Sequence, residues 1–183
     1  TTTTDYCGNV VYENGVQKLL LTDEGYVTLS DNKYHYYLKD HQGNNRVVIN
    51  QSGTVEETNH YYPFGGVFAS AGNVQPYKYN GKEYDGKKGL NWYDYGARMY
   101  DAALGRFMTV DPLAEKYYPM SPYGYCLNNP IKFIDADGRL PRIYIERKGF
   151  GHAFVTVGNG DNTIVYTYGR YGELGKDKSS ARN

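Results

Sequence analysis

The sequence predicts a mainly β fold of antiparallel β-hairpin repeats, with one short helix. Runs of β-branched and aromatic residues, each the length of a strand, alternate with turn signals through the first sixty residues. Tyrosine and glycine each supply 22 of the 183 residues, whereas hydrophobic residues make up only 40%. Such a chain cannot fill a wide aliphatic core, but it can build β-layers faced with tyrosine, which packs through its ring and hydrogen-bonds through its hydroxyl.

Charge and cysteine content narrow the functional classes. The formal net charge is zero, so nothing steers this region towards nucleic acid or an anionic membrane. No apolar run approaches the ~20 residues that span a bilayer. Cys7 and Cys126 are far apart in the sequence and have no second ligand near either. The sequence therefore predicts no metal site and no cofactor; a buried free thiol is the expected cysteine state, with a disulfide as the alternative.

The first half reads as a meander of strands in sequence order. Asn14-Gly15, the strongest short hairpin signal, separates the first two predicted strands. The predicted strands cover 9–13, 16–22, 26–30, 33–39, 46–50 and 54–62. Their spacing favours antiparallel hairpins over βαβ units. The unit at 34–65 is preceded by a looser copy of itself, and repeats of this size must stack on neighbours to bury their faces. Two copies would leave exposed edges, so we expect the chain to be a fragment of something longer.

The second half carries shorter elements. Residues 64–75 read as a glycine-rich connector, and tyrosine strands with Asn-Gly and Asp-Gly turns follow it. Asp111 is suited to cap a helix, Pro112 to occupy its first position, and the predicted helix runs to Tyr118. Beyond residue 139 the sequence becomes richer in β-branched residues, which predicts a boundary at 139–141.

Two stretches of the sequence resemble a known family. YYLKDHQGNNRVVINQSGTVEETNHYYPFG, at 36–65, resembles a YD repeat, also called an RHS repeat. KYNGKEYD at 78–85, the run from GLNWYDYGARMYD to DPLAEKYY, and SPYGYCLNNPIKFIDADG at 121–138 resemble the RHS-repeat-associated core domain. The resemblance covers about residues 5–139. It implies three regions, with YD-repeat strands at 1–75, the core at 76–139, and the start of a variable, truncated C-terminal toxin region at 140–183.

The resemblance also implies a role in a polymorphic toxin. In this family the repeats form a β-shell around a C-terminal toxin, and the core domain is a plug that in many members cuts the chain after itself as an aspartyl protease. The implied partners are the chain's own toxin segment, an immunity protein and secretion-system components, in a secreted or cell-envelope protein of a bacterium. The alternative is an exported, cell-surface YD-repeat adhesin or carbohydrate-binding protein without cleavage.

An aspartyl protease needs two carboxylates close enough to share a proton, and a nearby arginine can hold one of them ionised. The family has an arginine in "ARYYD", an aspartate in "DPIG" and another in "DPLGL". By motif these fall on Arg98, Asp111 and Asp135. Both aspartates sit at predicted turns, where we expect their carboxylates to project from the layer. The structural alternative is that Asp111 only caps a helix and Asp135 only shapes a turn.

The predicted cleavage site is the bond between Arg139 and Leu140, directly after the core. Asp137, two residues after Asp135 and on the same side of an extended chain, is the substitute if Asp135 serves the turn. The motifs here read DPLA and DADGR, so they depart from the family pattern while retaining the carboxylates. In the toxin region, His152 at the start of a β-run resembles weakly the histidine region of papain-like or NlpC/P60-type hydrolases, but no cysteine follows the boundary.

Overall fold

The computed structural model describes residues 2–116, 119–139, 141–143, 153–157 and 164–168. The chain divides into two compact units, Thr1–Leu90 and Asn91–Asn183. Almost every regular element is an antiparallel strand, which confirms the predicted mainly β fold. The division into regions at 1–75, 76–139 and 140–183 stays a prediction. Within the described residues, no helix is long and apolar enough to cross a membrane.

The first unit is built on an eight-stranded antiparallel sheet in which the strands lie in sequence order. The strands are β1 (Thr4–Cys7), β2 (Val10–Glu13), β3 (Val16–Thr22), β4 (Gly25–Thr28), β5 (Lys33–Lys39), β6 (Asn45–Asn50), β7 (Val55–Tyr61) and β8 (Val67–Ala71). Two 3-10 turns, Tyr79–Gly81 and Lys87–Gly89, flank the short strand β9 (Glu83–Asp85). All six strands predicted in the first sixty residues are confirmed, and the turns between them include Asn14-Gly15, Asp23-Glu24, Asp31-Asn32 and 51–53.

The prediction of a connector at 64–75 is wrong, because this segment contains β8. Strand β8 pairs antiparallel with β7, with Thr58 opposite Ala71 and His60 opposite Ala69. Its side chains are mostly exposed and, apart from Phe68, small, so they give no strand pattern; the pairing uses backbone groups that every residue carries. Gly72 then ends the strand with φ +77, and its backbone lies so close to the carbonyl of Glu56 that a Cβ would collide with it.

The core of the sheet mixes rings with few aliphatic side chains, as the composition predicts. Val11, Leu19, Tyr26 and Val48 form the buried cluster, and Leu21 and Tyr37 pack against it. The ring of His35 stacks on Tyr26 with centroids 4.4 Å apart and nearly parallel planes. Cross-strand ring contacts of this kind hold neighbouring hairpins together where aliphatic volume is scarce.

The second unit consists of short strands around an aromatic centre. Strands β10 (Trp92–Asp94), β11 (Met99–Asp101) and β12 (Arg106–Phe107) pair antiparallel in that order, as do β13 (Phe133–Asp135) with β14 (Pro141–Ile143), and β15 (Ala153–Val157) with β16 (Ile164–Tyr168). A 3-10 turn spans Cys126–Asn128. The buried rings are those of Tyr93, Tyr95, Tyr100, Phe107 and Tyr125. This aromatic cluster, named here by these five rings, is the core of the unit.

The predicted helix at 111–118 is reduced to one 3-10 turn, Ala114–Lys116, within the described residues. Asp111 does cap it: Oδ1 accepts a hydrogen bond from the backbone N–H of Leu113 at 2.7 Å, and its carbonyl accepts one from Ala114 at 3.0 Å. Residues 117 and 118 lie outside the described part of the chain. A cap and a proline signal where a helix starts, but they do not sustain one, because isolated short helices are marginal without a packed face.

Candidate functional site

The structure brings three of the predicted site residues together. Arg98 lies in the turn that precedes β11, rather than on a strand. Its Nη2 is 2.8 Å from Oδ2 of Asp111 and 3.6 Å from Oδ2 of Asp135. Because both distances start from one nitrogen, the two carboxylates flank a single guanidinium. The expected arrangement was a pair of carboxylates sharing a proton, whereas here they share a cation.

The guanidinium of Arg98 is buried, and each of its three nitrogens donates a hydrogen bond. The side chain of the residue is held by two backbone carbonyls: Nε donates to Gly138 at 2.5 Å, and Nη1 donates to Pro122 at 3.0 Å. Its Cζ lies 3.7 Å from the ring centroid of Phe107, within cation–π range. Arg98 is only 4% exposed. Burial lowers the pKa of Arg98, while the charges of Asp111 and Asp135 oppose that shift.

Asp135 is the last residue of β13 and is turned inward, with 1% of its surface exposed. Its Oδ1 accepts backbone hydrogen bonds from Asp137, Gly138 and Arg139, at 3.2, 2.7 and 3.2 Å. Its Oδ2 has no hydrogen-bond partner among the described residues and faces Arg98. Burial raises the pKa of Asp135, and the three N–H groups and Arg98 oppose it. The expectation that this carboxylate projects from the layer is wrong, because the turn that follows wraps around it.

Asp111 has a more open environment. Its Oδ2 accepts the charge-assisted hydrogen bond from Arg98 at 2.8 Å, and its Oδ1 caps the following turn. Its backbone N–H donates a hydrogen bond to the carbonyl of Pro122 at 2.9 Å. This bond ties the segment that carries Asp111 to the segment that carries Pro122. The side chain is 15% exposed, against 1% for Asp135. The two carboxylates are therefore chemically different: one is capped by backbone and enclosed, and the other is ion-paired and reachable by solvent.

The remaining predicted residues divide into two groups. Asp137 and Arg139 both lie in the turn around Asp135, and the carbonyl of Asp137 accepts a hydrogen bond from Ala97 at 3.1 Å. This bond, and the one that Nε of Arg98 donates to the carbonyl of Gly138, fasten the turn to the segment before β11. Leu140, on the far side of the predicted cleavage site, and His152 lie outside the described residues.

Several contacts of the site carry no signal in the sequence. The carbonyls of Pro122 and Gly138 are backbone acceptors, and no residue type marks them. In the first unit, Nδ1 of His35 lies 2.6 Å from Oε2 of Glu56 and its Nε2 lies 2.9 Å from Oγ1 of Thr28, contacts that no sequence pattern marks. This hydrogen-bonded chain joins β4, β5 and β7, although β6 lies between β5 and β7 in the sheet, so the contact between His35 and Glu56 exists only once the sheet has formed.

The raised pKa of Asp135 predicts a specific dependence of stability on pH. Between the unfolded pKa of about 4 and the raised folded pKa, the folded state binds more protons, so the contribution of Asp135 to stability falls as pH rises. We expect the free energy of unfolding of the wild type, relative to that of Asp135→Asn, to decrease over this interval. Urea unfolding followed by the fluorescence of Trp92, the single tryptophan, measures it in the second unit.

Asp94→Asn is the matched control for this measurement. Asp94 is the exposed last residue of β10, and its Oδ1 accepts the N–H of Gly96 at 2.7 Å. Its replacement is expected to leave the pH dependence of the wild type unchanged. If Asp135→Asn showed the same pH dependence as the wild type and this control, the assignment of the titrating group to Asp135 would be wrong.

Comparisons with known proteins can now be set beside this geometry. No protein-family model matches the chain. The chain is 40% identical over 114 residues to salivary gland surface protein 1 of Aedes aegypti, covering 60% of this chain and 3% of that protein. It is 35% identical over 104 residues to toxin subunit YenC2 of Yersinia entomophaga, covering 54% of this chain and 10% of that subunit. The chain thus spans a tenth or less of the length of these relatives.

Solved structures agree on the fold. The Tc holotoxin pore of Photorhabdus luminescens matches with a TM-score of 0.64 and 23% identity, over 80% of this chain and 8% of that one. A TcdB2-TccC3 structure matches with a TM-score of 0.61 and 22% identity, over 75% of this chain and 8% of that one. At this identity the match shows the fold alone. Together with the sequence similarity to toxin subunits, it supports an RHS/YD-type, toxin-related protein.

Proposed function

We propose that this chain is part of a secreted bacterial RHS-repeat toxin whose β-shell encloses a C-terminal toxin, and that its core cuts the chain to release that toxin. The observation that carries the proposal is the buried Arg98 guanidinium, which contacts both predicted carboxylates and the carbonyl of Gly138. That carbonyl is one peptide bond before the predicted cleavage site. The similarity to toxin subunits supports the same class of protein.

The difference between the carboxylates suggests their roles. Asp111, which pairs with Arg98 and is partly open to solvent, would take a proton from the attacking water. The water oxygen would bond to the carbonyl carbon of Arg139. Asp135, whose pKa burial raises, would hold a proton and pass it to the nitrogen of Leu140 as the peptide bond breaks. Arg98 would orient Asp111 through its charge-assisted hydrogen bond and fix the turn that presents the bond.

The first unit fits the wall of such a shell. Its sheet adds strands strictly in sequence order, so further repeats can extend it without rearranging the strands already present. The proposed partners are the toxin segment inside the shell, an immunity protein that protects the producing cell, and components of a secretion system. These partners follow from the proposed class and not from a surface of the described residues.

The test is mass spectrometry of the purified full-length protein. The wild type is expected to break once, between Arg139 and Leu140, and Asp111→Asn and Asp135→Asn are each expected to remain intact. Asp94→Asn, which alters an exposed carboxylate outside the site, should be cut like the wild type. An intact wild-type chain, or a cut that persists in both site variants, would sink the aspartyl mechanism.

A second candidate is a cell-surface YD-repeat protein, adhesive or carbohydrate-binding, that is not cut. It is favoured by the similarity to a salivary gland surface protein, and by the three backbone N–H groups that already occupy Oδ1 of Asp135 as in a purely structural turn. The genomic neighbourhood separates the two candidates. A small reading frame of immunity type directly downstream favours the toxin, whereas a cell-wall anchor or further YD repeats beyond residue 183 favour the surface protein.

A further inference from the structure

The first unit contains a buried polar cluster that the proposed proteolysis does not use. It consists of Glu57 and Asn59 on β7, Gln75, and Lys78, which precedes the 3-10 turn Tyr79–Gly81. Glu57 and Asn59 are each 1% exposed and Lys78 is 6% exposed. Glutamate and lysine are almost never buried this deeply unless they are paired, and here Nζ of Lys78 and Oε1 of Glu57 form an ion pair at 2.9 Å. A third polar side chain, that of Asn59, is buried against this pair.

A single oxygen, Oε1 of Glu57, contacts both nitrogens of interest. It accepts hydrogen bonds from Nζ of Lys78 at 2.9 Å and from Nδ2 of Asn59 at 2.6 Å. Nζ of Lys78 is also 3.4 Å from Oδ1 of Asn59. The amine of a lysine thus lies against the side-chain amide of an asparagine, and one carboxylate touches both.

The surroundings hold these groups in place. Oε2 of Glu57 accepts the backbone N–H of Val74 at 2.8 Å, and Oε1 also accepts Nε2 of Gln75 at 3.1 Å, so the carboxylate cannot rotate freely. The backbone of Lys78 is fixed on both sides: its carbonyl accepts the N–H of Asn45 at 3.1 Å, and its N–H donates to Lys82 at 2.9 Å. Positioning of this kind replaces much of the entropy cost of a reaction between two groups.

From this geometry we propose that Lys78 and Asn59 become joined by an intramolecular amide bond, with Glu57 carrying the protons. Glu57 first takes a proton from the ammonium of Lys78. The neutral amine then attacks Cγ of Asn59, forming the Nζ–Cγ bond. Glu57 passes this proton to Nδ2, the Cγ–Nδ2 bond breaks and ammonia leaves, and Glu57 then takes the second proton from Nζ, so that a neutral amide and a protonated Glu57 remain. No oxidant, metal or other reactant is needed, because the atoms and charges balance within the three side chains.

The position of Glu57 explains why Lys78 and Asn59 can react, whereas other lysine–asparagine pairs do not. An amide is a poor electrophile in water, so the reaction needs a group that touches both the attacking and the leaving nitrogen, in a site from which water is excluded. Oε1 of Glu57 satisfies the first condition and burial satisfies the second. The product would tie β7 to the segment beyond β8 covalently, closing a loop over the edge of the sheet.

Intact-mass spectrometry of the denatured chain tests the proposal. The expected mass is that of the sequence less one ammonia. Chymotrypsin cuts after the aromatic residues at 61–68, so it separates Asn59 from Lys78 unless a bond joins them. We expect one cross-linked peptide pair that contains both residues. This pair also distinguishes the amide from ring closure at the asparagine alone, which loses ammonia without joining two peptides.

Variants assign the roles. Lys78→Arg and Glu57→Gln keep a similar size and polarity, and both are expected to show the full mass with no joined peptides. Lys18→Arg, at an exposed lysine that pairs with Glu13, should lose ammonia like the wild type. A wild-type chain of full mass overturns the proposal, whatever the variants do. Cross-linking that survives in Glu57→Gln would overturn the assigned role of Glu57.

Discussion

Replacing Arg98 by methionine is expected to destabilise the second unit by about 3–5 kcal/mol, because it leaves buried carboxylate charge without its partner. Asp135 is almost fully enclosed, and Arg98 is the cation that faces its unpaired Oδ2. The same change removes the hydrogen bonds to the carbonyls of Gly138 and Pro122, and an unsatisfied buried carbonyl costs about 1–3 kcal/mol. Urea unfolding followed by Trp92 fluorescence reports on this unit.

Two variants sharpen this result. Arg106→Met removes an exposed arginine on β12 and should cost almost nothing. Arg98→Lys keeps a charge but loses the planar fork that reaches Asp111 and both carbonyls together, so an intermediate cost is expected. The loss in Arg98→Met should also shrink in acid, where Asp135 binds a proton in the folded state. A cost of Arg98→Met equal to that of Arg106→Met, at every pH, would contradict a structural ion-pair cluster.

Truncating Phe107 to alanine is expected to cost about 3–5 kcal/mol, the usual cost for a buried phenylalanine. Phe107 is 1% exposed and sits in the middle of the aromatic cluster. Its ring centroid lies 5.6 Å from that of Tyr95, 5.5 Å from Tyr100 and 5.7 Å from Tyr125, all edge-on. The face of the same ring is contacted by the guanidinium of Arg98. The ring therefore supports the core and the candidate site at once.

Phe107→Leu separates these two contributions. Leucine retains most of the apolar volume but has no ring face for the guanidinium, so its cost measures mainly the lost cation–π contact, about 2 kcal/mol when desolvated. Phe68→Ala is the control, because Phe68 is exposed on β8 of the first unit. It should leave the Trp92 transition unchanged. If Phe107→Ala did so too, the aromatic cluster would not be the core of the second unit.

The sequence alone was sufficient for the meander, and the reasons are local. Strand-sized runs such as VQKLLLT, and turn signals such as Asn14-Gly15 and Asp31-Asn32, encode a strand and its reversal within a few residues. Strand β8 was not predicted, because its formation depends on the free edge of β7 and not on its own side chains. The helix after Asp111 was overestimated for the opposite reason: cap and proline signals mark a start, whereas continuation depends on a packed face that sequence does not reveal.

The candidate site shows the same division. The family resemblance selected Arg98, Asp111 and Asp135, and the structure places them together. The resemblance did not reveal that Arg98 lies between the two carboxylates, because the position of Arg98 depends on where the carbonyls of Gly138 and Pro122 lie. The sequence carries no signal for the cluster of Glu57, Asn59 and Lys78. A charged residue on a strand usually faces solvent, and Glu57 is enclosed only because a later segment of the chain crosses over β7.

The strand order of the first unit also bears on how the chain is made. Each strand after the first pairs with the strand translated just before it, so the contacts that form the sheet join segments close in sequence. Low contact order of this kind speeds folding, since little loop entropy is lost before pairing is gained. A ribosome can therefore release the sheet one hairpin at a time, each new strand docking on an edge that is already in place. Assembly in this direction would leave the segment that carries Lys78 to close last over a finished sheet.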